Sequence, residues 1–296
     1  MEDQMFSFDD PYITKPKYFK WKNANILLEK GLKSCQSMFS NPNVQKIIKS
    51  RRKFDVILAE YFTGECIHGF HYKFGAPLIG VSSTAVMPLY SRRLFDPDNP
   101  SYIVNNLFSL QDEMSFCERT ANFFGTWYFK LYHMSYLRDN KNLIERYFNM
   151  KIPSITTNNN SILLVNSQAS ITPSTGLVPR VVNIGGVHIN ASSELPKDIQ
   201  EFYQKFAYVV YVSMGTMVKG HTFPVKQRDI IIEICRQYKF GLLWKWDGEY
   251  RGEIPSHMMV KKWFPQRDIL AHSRTVIFVS HAGLLSVIEA LNYGFQ

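Results

Sequence analysis

Several features that would assign a protein class directly are absent from this 296-residue sequence. No apolar run approaches the roughly 18 residues that a membrane-spanning helix needs. Met1 is followed by acidic and polar residues rather than by the apolar stretch of a signal peptide. No Gly-x-Gly-x-x-Gly segment follows a first strand, which argues against a dinucleotide-binding enzyme. The four cysteines have neither a CxxC pair nor metal-ligand spacing: Cys35, Cys66, Cys117 and Cys235.

The composition is that of a folded protein with a substantial core. Hydrophobic residues make up 45% of the chain and aromatic residues 15%, which excludes disorder as the main state. The length allows one large domain or two of ordinary size. The formal charge of +9 comes largely from lysines and arginines between Lys15 and Lys53. Since no nucleic-acid motif accompanies this charge, we interpret it as the solvated face of helices and expect no nucleic-acid partner.

Apolar runs alternate with helical stretches along the first half of the chain. Residues 54–60 and 76–83 predict buried strands on either side of a helical stretch over 64–74. Another buried strand is predicted at 161–165, after one or two amphipathic helices in the aromatic-rich stretch 115–150. This strand–helix–strand order is typical of an α/β protein with parallel sheets.

A segment rich in proline and glycine, 171–197, separates the two halves and indicates a domain boundary. We therefore predict one domain over 1–185 and a second over 186–296. A ligand is expected at a cleft between two such domains. The second domain repeats the α/β pattern, with strands expected at 207–213, 241–246 and 276–280 and helices at 224–238 and 284–293.

The most informative segment begins at Trp263 and ends in a helix that follows the strand 276–280. Ligands of open parallel sheets bind at the carboxyl ends of strands, where helix N-termini direct amides at anions. His281 at the strand end and Ser286 in the first helical turn can donate hydrogen bonds to a phosphate. Gly283 allows a diphosphate to approach the backbone closely.

The same segment offers groups for a nucleoside. Glu289 lies three residues after Ser286, about 4.5 Å further along the helix axis, so both side chains share one face. A carboxylate there suits the two hydroxyls of a ribose. Trp263 presents a flat ring for a base, and Gln266 offers a donor and an acceptor to a base edge. Each residue alone has an ordinary structural interpretation, but their order and spacing together favour a nucleotide site.

These residues resemble the signature of the UDP-glycosyltransferase family, particularly its insect UDP-glucosyltransferases and animal UDP-glucuronosyltransferases. The resemblance implies the GT-B fold, which has two Rossmann-like α/β domains with parallel sheets. It extends in order over nearly the whole chain, including the stretches 54–60, 164–167, 178–179, 184–188, 195–197, 212–216 and 243–246.

The resemblance also implies a reaction and roles for individual residues. A hexose, glucose or glucuronic acid, would pass with inversion from a UDP-sugar to a hydroxyl of a small lipophilic acceptor. A histidine oriented by a carboxylate would remove the acceptor proton, and no cofactor or metal would be needed. UDP would be held through stacking on Trp263, uridine contact with Gln266, ribose contact with Glu289, and diphosphate contacts with His281, Gly283, Ser286 and the turn at Ser213, Gly215 and Thr216.

Three departures from the family pattern limit what this chain is expected to do. The catalytic histidine has no counterpart here, and both domains are expected to be incomplete. Glu60 matches the orienting carboxylate by position, although many relatives have aspartate. The sequence ends at Gln296, before the Asp-Gln pair that binds the sugar and before the C-terminal membrane anchor. The resemblance places the full-length protein at the lumenal side of the endoplasmic reticulum membrane, with the membrane contacted only through that anchor, and it is compatible with a homo-oligomer.

Two histidines and an acidic tripeptide are further candidates for chemical roles. His68 and His71 fall in a helix after a later strand, so we expect them to face the surface or helix packing. Asp96-Pro97-Asp98 resembles the metal motif of another glycosyltransferase fold, but its Pro/Asn-rich context predicts a turn. Two functional alternatives stay open: a non-catalytic chain that binds UDP weakly or pairs with an intact relative, and an unrelated dinucleotide enzyme.

Overall fold

Two α/β units make up the part of the chain that the computed structural model describes. They divide between Gly185 and Gly186. The described residues are 21–84, 99–105, 108, 110, 113–153, 155, 160–168, 171, 178–216 and 218–295. In these ranges no helix is long and apolar enough to cross a membrane.

The first unit contains a four-stranded sheet in which all strands are parallel, in the order β1-β2-β3-β4. Short apolar strands with helical crossovers give this topology. Its elements are α1 (Trp21–Ser40), α2 (Pro42–Ile48), β1 (Ile57–Glu60), a 3-10 turn (Glu65–Ile67), α3 (His68–Phe74), β2 (Leu78–Ser82), α4 (Phe116–Phe148), β3 (Asn160–Val165) and β4 (Val181–Asn183).

The second unit contains another parallel sheet, with the strand order β7-β6-β5-β8. The α/β class and parallel sheets predicted from the sequence are therefore confirmed. Its elements are α5 (Lys197–Lys205), β5 (Val209–Ser213), a 3-10 turn (Gly220–Thr222), α6 (Val225–Gln237), β6 (Gly241–Lys245), β7 (Met258–Lys261), α7 (Gln266–Ala271), β8 (Thr275–Ser280) and α8 (Leu284–Asn292).

Both faces of the two central strands of the second sheet, β5 and β6, are buried, which is why these strands are continuous apolar runs. Every residue of β5 is buried. Val209 and Tyr211 belong to a core that includes Phe202 of α5. Val210 and Val212 belong to a separate core on the other face. This double covering holds β5 rigidly, so the residues that follow it start from a fixed position.

A single 33-residue helix, α4, occupies most of the aromatic-rich stretch. It begins at the N-cap Ser115, which forms a reciprocal capping box with Glu118, and it ends before Asn149 at φ 49°. The two hydrogen bonds of such a box satisfy orphan amides at the helix start. Phe129 and Ile144 are fully buried, whereas Phe116 remains 75% exposed.

A disulfide joins Cys35 of α1 to Cys66 of the 3-10 turn, with a Cα–Cα distance of 5.8 Å. The sequence alone did not indicate this pairing. Of the other two cysteines, Cys117 is exposed and Cys235 is buried, and both are free. The disulfide closes a loop that includes β1, so it ties the helical layer of the first unit to the start of its sheet.

Candidate functional site

The carboxyl ends of the second sheet's strands meet at one edge. Ser213 at the end of β5 pairs in register with Ser280 at the end of β8. On the other side of β5, β6 ends at Lys245, which pairs with Lys261 at the end of β7. Side chains that follow these strands are therefore brought to the same place, where open parallel sheets bind ligands.

The turn after β5 lies directly against His281. Gly215 has φ +70°, and a Cβ added there would lie 2.4 Å from Cε1 of the His281 ring. A Cβ on Gly283 would likewise lie 2.6 Å from Nε2 of that ring. Thr216 follows in the same turn and is exposed. Glycine at both positions thus lets the imidazole sit between two backbone segments.

Helix α8 begins immediately after this imidazole. Its N-cap is Gly283, which has no side chain to satisfy the first amides. Those amides and the helix dipole attract an anion. Ser286, in the first turn, is buried at 7% exposure, and its hydroxyl lies on the side of the helix that faces Gln266.

Gln266, Ser286 and Glu289 form one hydrogen-bonded cluster. Gln266 is the first residue of α7, and its Nε2 donates to Ser286 Oγ at 3.0 Å and to Glu289 Oε2 at 2.7 Å. The Tyr211 hydroxyl donates to Gln266 Oε1 at 3.4 Å. Burial, with a smaller contribution from Glu289, raises the pKa of Tyr211, so its hydroxyl stays protonated and remains a donor. The amide and one oxygen of the carboxylate are thus held in place before any ligand arrives.

The Trp263 indole is open to solvent rather than packed in the core. Its side chain is 67% exposed, an unusual state for so large an apolar ring. The Lys245 ammonium lies 5.1 Å from the ring centroid. An exposed indole beside a cation provides a platform on which a base can stack.

Lys245 is a site residue that sequence reasoning missed. It is 9% exposed, and its Nζ donates to the carbonyl of Gly215. Burial lowers its pKa, while Asp247 acts in the opposite direction. Burial, followed by the charge of Lys245, also lowers the pKa of His281. The cation is therefore close enough to influence the imidazole, and its position as the last residue of β6 was the signal that could have identified it.

Glu60 lies apart from these residues in the sequence, at the end of β1 in the first unit. Its side chain is exposed, and Oε1 accepts a hydrogen bond from Ser83 Oγ at 2.9 Å. Its role therefore stays a prediction. His68 is buried beside Glu65 and Tyr61, and His71 Nδ1 is 2.7 Å from the Ala76 carbonyl. Both histidines are thus engaged in packing around their helix, and Asp96-Pro97-Asp98 lies outside the described residues.

No group of three or more potential metal-ligating His, Cys, Asp or Glu side chains occurs within the ranges that the structure describes. The positive and polar groups at the sheet edge are instead Lys245, His281 and the free amides of α8. These groups are suited to hold a diphosphate directly, through hydrogen bonds and charge.

Comparisons with known proteins agree with one another. The family described as UDP-glucoronosyl and UDP-glucosyl transferase matches residues 8–295. The UDP-glycosyltransferase UGT5 of Dactylopius coccus is 33% identical over 257 residues, which cover 85% of this chain and 49% of that protein. UDP-glucuronosyltransferase 2B9 of Macaca fascicularis is 27% identical over 96% of this chain and 53% of its own length. The chain thus spans about half the length of the curated relatives it matches.

Solved structures show the same fold at low sequence identity. UGT71G1 of Medicago truncatula, complexed with UDP-glucose, aligns with a TM-score of 0.53 at 16% identity, covering 89% of this chain and 60% of that one. A glycosyltransferase of kitacinnamycin aligns with a TM-score of 0.53 at 18% identity, covering 97% and 65%. The architecture is therefore that of the GT-B glycosyltransferases.

Proposed function

Because the chain belongs to the UDP-glycosyltransferase family, we propose that its second unit binds the UDP part of a UDP-sugar and that the full-length protein transfers the hexose to a small lipophilic acceptor. The observation that carries the proposal is the hydrogen-bonded cluster of Gln266, Ser286 and Glu289, in the same unit as an exposed Trp263. An oriented carboxylate, an amide and an open indole are the groups that a ribose and a base require.

The uridine occupies the side of the site formed by α7 and α8. Its base stacks on Trp263, a contact worth about 1–3 kcal/mol. Gln266 contacts the uridine, and Glu289 accepts hydrogen bonds from the ribose hydroxyls. The 2.7 Å hydrogen bond from Gln266 Nε2 to Glu289 Oε2 supports this assignment, because it places the amide and the carboxylate side by side.

The diphosphate occupies the space between the β5 turn and the start of α8. His281 and Ser286 donate to its oxygens, as do the amides near Gly215 and Gly283. Lys245 supplies a positive charge from a buried position, where electrostatic attraction is stronger than in water. Together these groups stabilise the negative charge that develops on UDP as it leaves.

The transfer itself is a displacement at the anomeric carbon. The acceptor oxygen forms a bond to that carbon while the carbon–phosphate-oxygen bond breaks, and the electron pair stays on UDP. The family resemblance assigns removal of the acceptor proton to a histidine, with Glu60 as its orienting carboxylate. The hexose is glucose or glucuronic acid, and the aromatic-rich stretch 115–150 contributes to the acceptor pocket.

The cellular location that we propose is the lumen of the endoplasmic reticulum. The disulfide between Cys35 and Cys66 supports it independently of family membership, because disulfides persist in oxidising compartments. Asn190, in an Asn-Ala-Ser acceptor tripeptide, is exposed and therefore accessible to glycosylation there.

Calorimetry and a transfer assay test the proposal together. We expect the 296-residue chain to bind UDP and to bind NAD far more weakly. The full-length protein should release UDP when UDP-glucose or UDP-glucuronic acid is supplied with a panel of phenolic and steroid acceptors. UDP binding without turnover of the full-length protein on any acceptor would favour the non-catalytic alternative, and preference for NAD would reject both.

A further inference from the structure

His188 brings an imidazole nitrogen to the carboxylate that we assign to the ribose. Its Nε2 lies 3.6 Å from Glu289 Oε1, and the side chains of His188 and Glu289 are 29% and 15% exposed. Within the described part of the chain, this buried nitrogen has no hydrogen-bond partner. A buried polar atom without a partner costs free energy, so its position calls for a functional explanation.

The local backbone explains why His188 is held there. Gly186 adopts φ +86°, and the Ile189 amide donates to the Gly186 carbonyl at 2.9 Å, which closes a tight turn around residue 188. A Cβ on Gly186 would be in ordinary contact, at 3.8 Å, with Ile288 of α8. The turn therefore packs against α8 at Ile288, the residue that precedes Glu289.

The two oxygens of Glu289 face different protein groups. Oε2 accepts the 2.7 Å hydrogen bond from Gln266, whereas Oε1 faces the imidazole of His188. An ionised carboxylate offers about four lone-pair sites. One bond from Gln266 and one from His188 would leave two sites, which is the number that the two hydroxyls of a ribose require.

We propose that His188 is a positioning residue that fixes the Oε1 side of Glu289 for the ribose diol. In the tautomer that carries its proton on Nε2, His188 donates to Oε1 while Gln266 holds Oε2. The present 3.6 Å separation closes to hydrogen-bonding distance when UDP binds, as such contacts commonly tighten in a ligand complex. Without His188 the carboxylate is held by one oxygen and rotates. This inference rests on the proposed function of the second unit.

The test compares binding of UDP and 2′-deoxy-UDP by calorimetry. The wild-type chain should prefer UDP. His188→Ala should weaken UDP binding about tenfold, the size expected for one hydrogen bond to a charged group. It should weaken 2′-deoxy-UDP less, because that ligand lacks one of the two hydroxyls, and the preference for UDP should shrink. His188→Gln should retain most of the preference for UDP, because the glutamine amide places an N–H donor at a similar distance from the backbone.

Two further variants separate positioning from a general effect on folding. His221 makes a similar contact in the same unit, with Nδ1 3.5 Å from Asp247 Oδ1, so His221→Ala is the matched control and should keep the preference. In a Glu289→Gln background, adding His188→Ala should cause little further loss, because residues that act through one another are not additive. Thermal unfolding identifies any variant that fails to fold. If His188→Ala fails to fold, His188→Gln is compared with the wild type in its place.

The outcomes distinguish the inference from the function on which it rests. If wild type prefers UDP and His188→Ala keeps that preference, the positioning role is wrong while the UDP site stands. Equal losses in His188→Gln and His188→Ala would also overturn it, because packing rather than donation would then explain the effect. If wild type does not bind UDP, the proposed function and this inference fall together.

Discussion

In the second unit, polar side chains near the strand ends form a hydrogen-bonded cluster at α8. In the first unit, Glu60 lies at the end of a strand and accepts a hydrogen bond from Ser83. The second sheet is covered on both faces by separate cores. The first unit also has two cores, and it has in addition a covalent link between α1 and the turn after β1. Under the proposed function, nucleotide binding belongs to the second unit and the acceptor side to the first.

Breaking the disulfide should give the largest effect and should confine it to the first unit. Cys35 and Cys66 are 31 residues apart, and removing a link over such a loop costs about 3–4 kcal/mol of unfolding free energy by the chain-entropy estimate. Cys35→Ala should lower the denaturation midpoint of the first unit without changing UDP affinity. Cys117→Ala, which removes an exposed free thiol, is the control. Unfolding that is identical with and without reductant would contradict the disulfide's role.

Removing a carboxylate from each unit sharpens the contrast for binding. Glu289→Ala should weaken UDP binding about 30-fold, because hydrogen bonds to a charged group contribute about 2 kcal/mol. Glu60→Ala should leave UDP affinity unchanged, since Glu60 is assigned to the acceptor chemistry. Calorimetry on the two variants measures both effects. Equal losses would show that nucleotide binding depends on both units.

An exposed tryptophan in each unit provides the next comparison. Trp263 is 67% exposed in the second unit and Trp127 is 48% exposed in the first. Trp263→Ala should lower UDP affinity about tenfold through the loss of base stacking. Trp127→Ala should not change it. Quenching of tryptophan fluorescence by UDP in the wild-type chain reports the contact directly. Equal quenching in Trp263→Ala would argue against the stacking role.

The smallest expected effect is a dependence of UDP binding on pH. Burial, followed by the charge of Lys245, lowers the pKa of His281 below its usual value, so the ring is neutral at pH 7 in the free protein. A bound diphosphate favours the protonated ring and raises that pKa. The complex then binds more protons than the free protein, so affinity should rise severalfold as pH falls below 7. His281→Asn removes this contribution, and the difference between the two proteins corrects for protonation of UDP itself. The same slope in both proteins would reject the assignment.

Most of the parallel strands and a helical region within 115–150 could be predicted from the sequence, whereas helix α1 (Trp21–Ser40) could not. The run that includes Val209 and Val212 is apolar throughout, as expected for a strand buried on both faces. The boundaries were less accurate, since the strand predicted over 54–60 begins at Ile57. Helix α5, strand β7 and helix α7 were not predicted. The last two have four and six residues, which is too few for a clear period.

Contacts between distant residues were beyond the reach of sequence patterns. The spacing of Cys35 and Cys66 does not specify a partner, because connectivity depends on the fold. Lys245 lies in the stretch 243–246, which is part of the family resemblance. Only the structure, however, shows its ammonium at the Gly215 carbonyl. The roles of Glu60 and of the nucleotide-site residues stay predictions, although the structure brings Gln266, Ser286 and Glu289 into contact.

The absence of a side chain at Gly215 has a consequence for protein engineering. The His281 ring occupies the volume that a Cβ would need, so the turn after β5 and the residue after β8 cannot be altered independently. Alanine at position 215 would displace the ring and would also strain a backbone at φ +70°. A library intended to accommodate a different sugar nucleotide must therefore vary both positions together, beginning with smaller residues at 281.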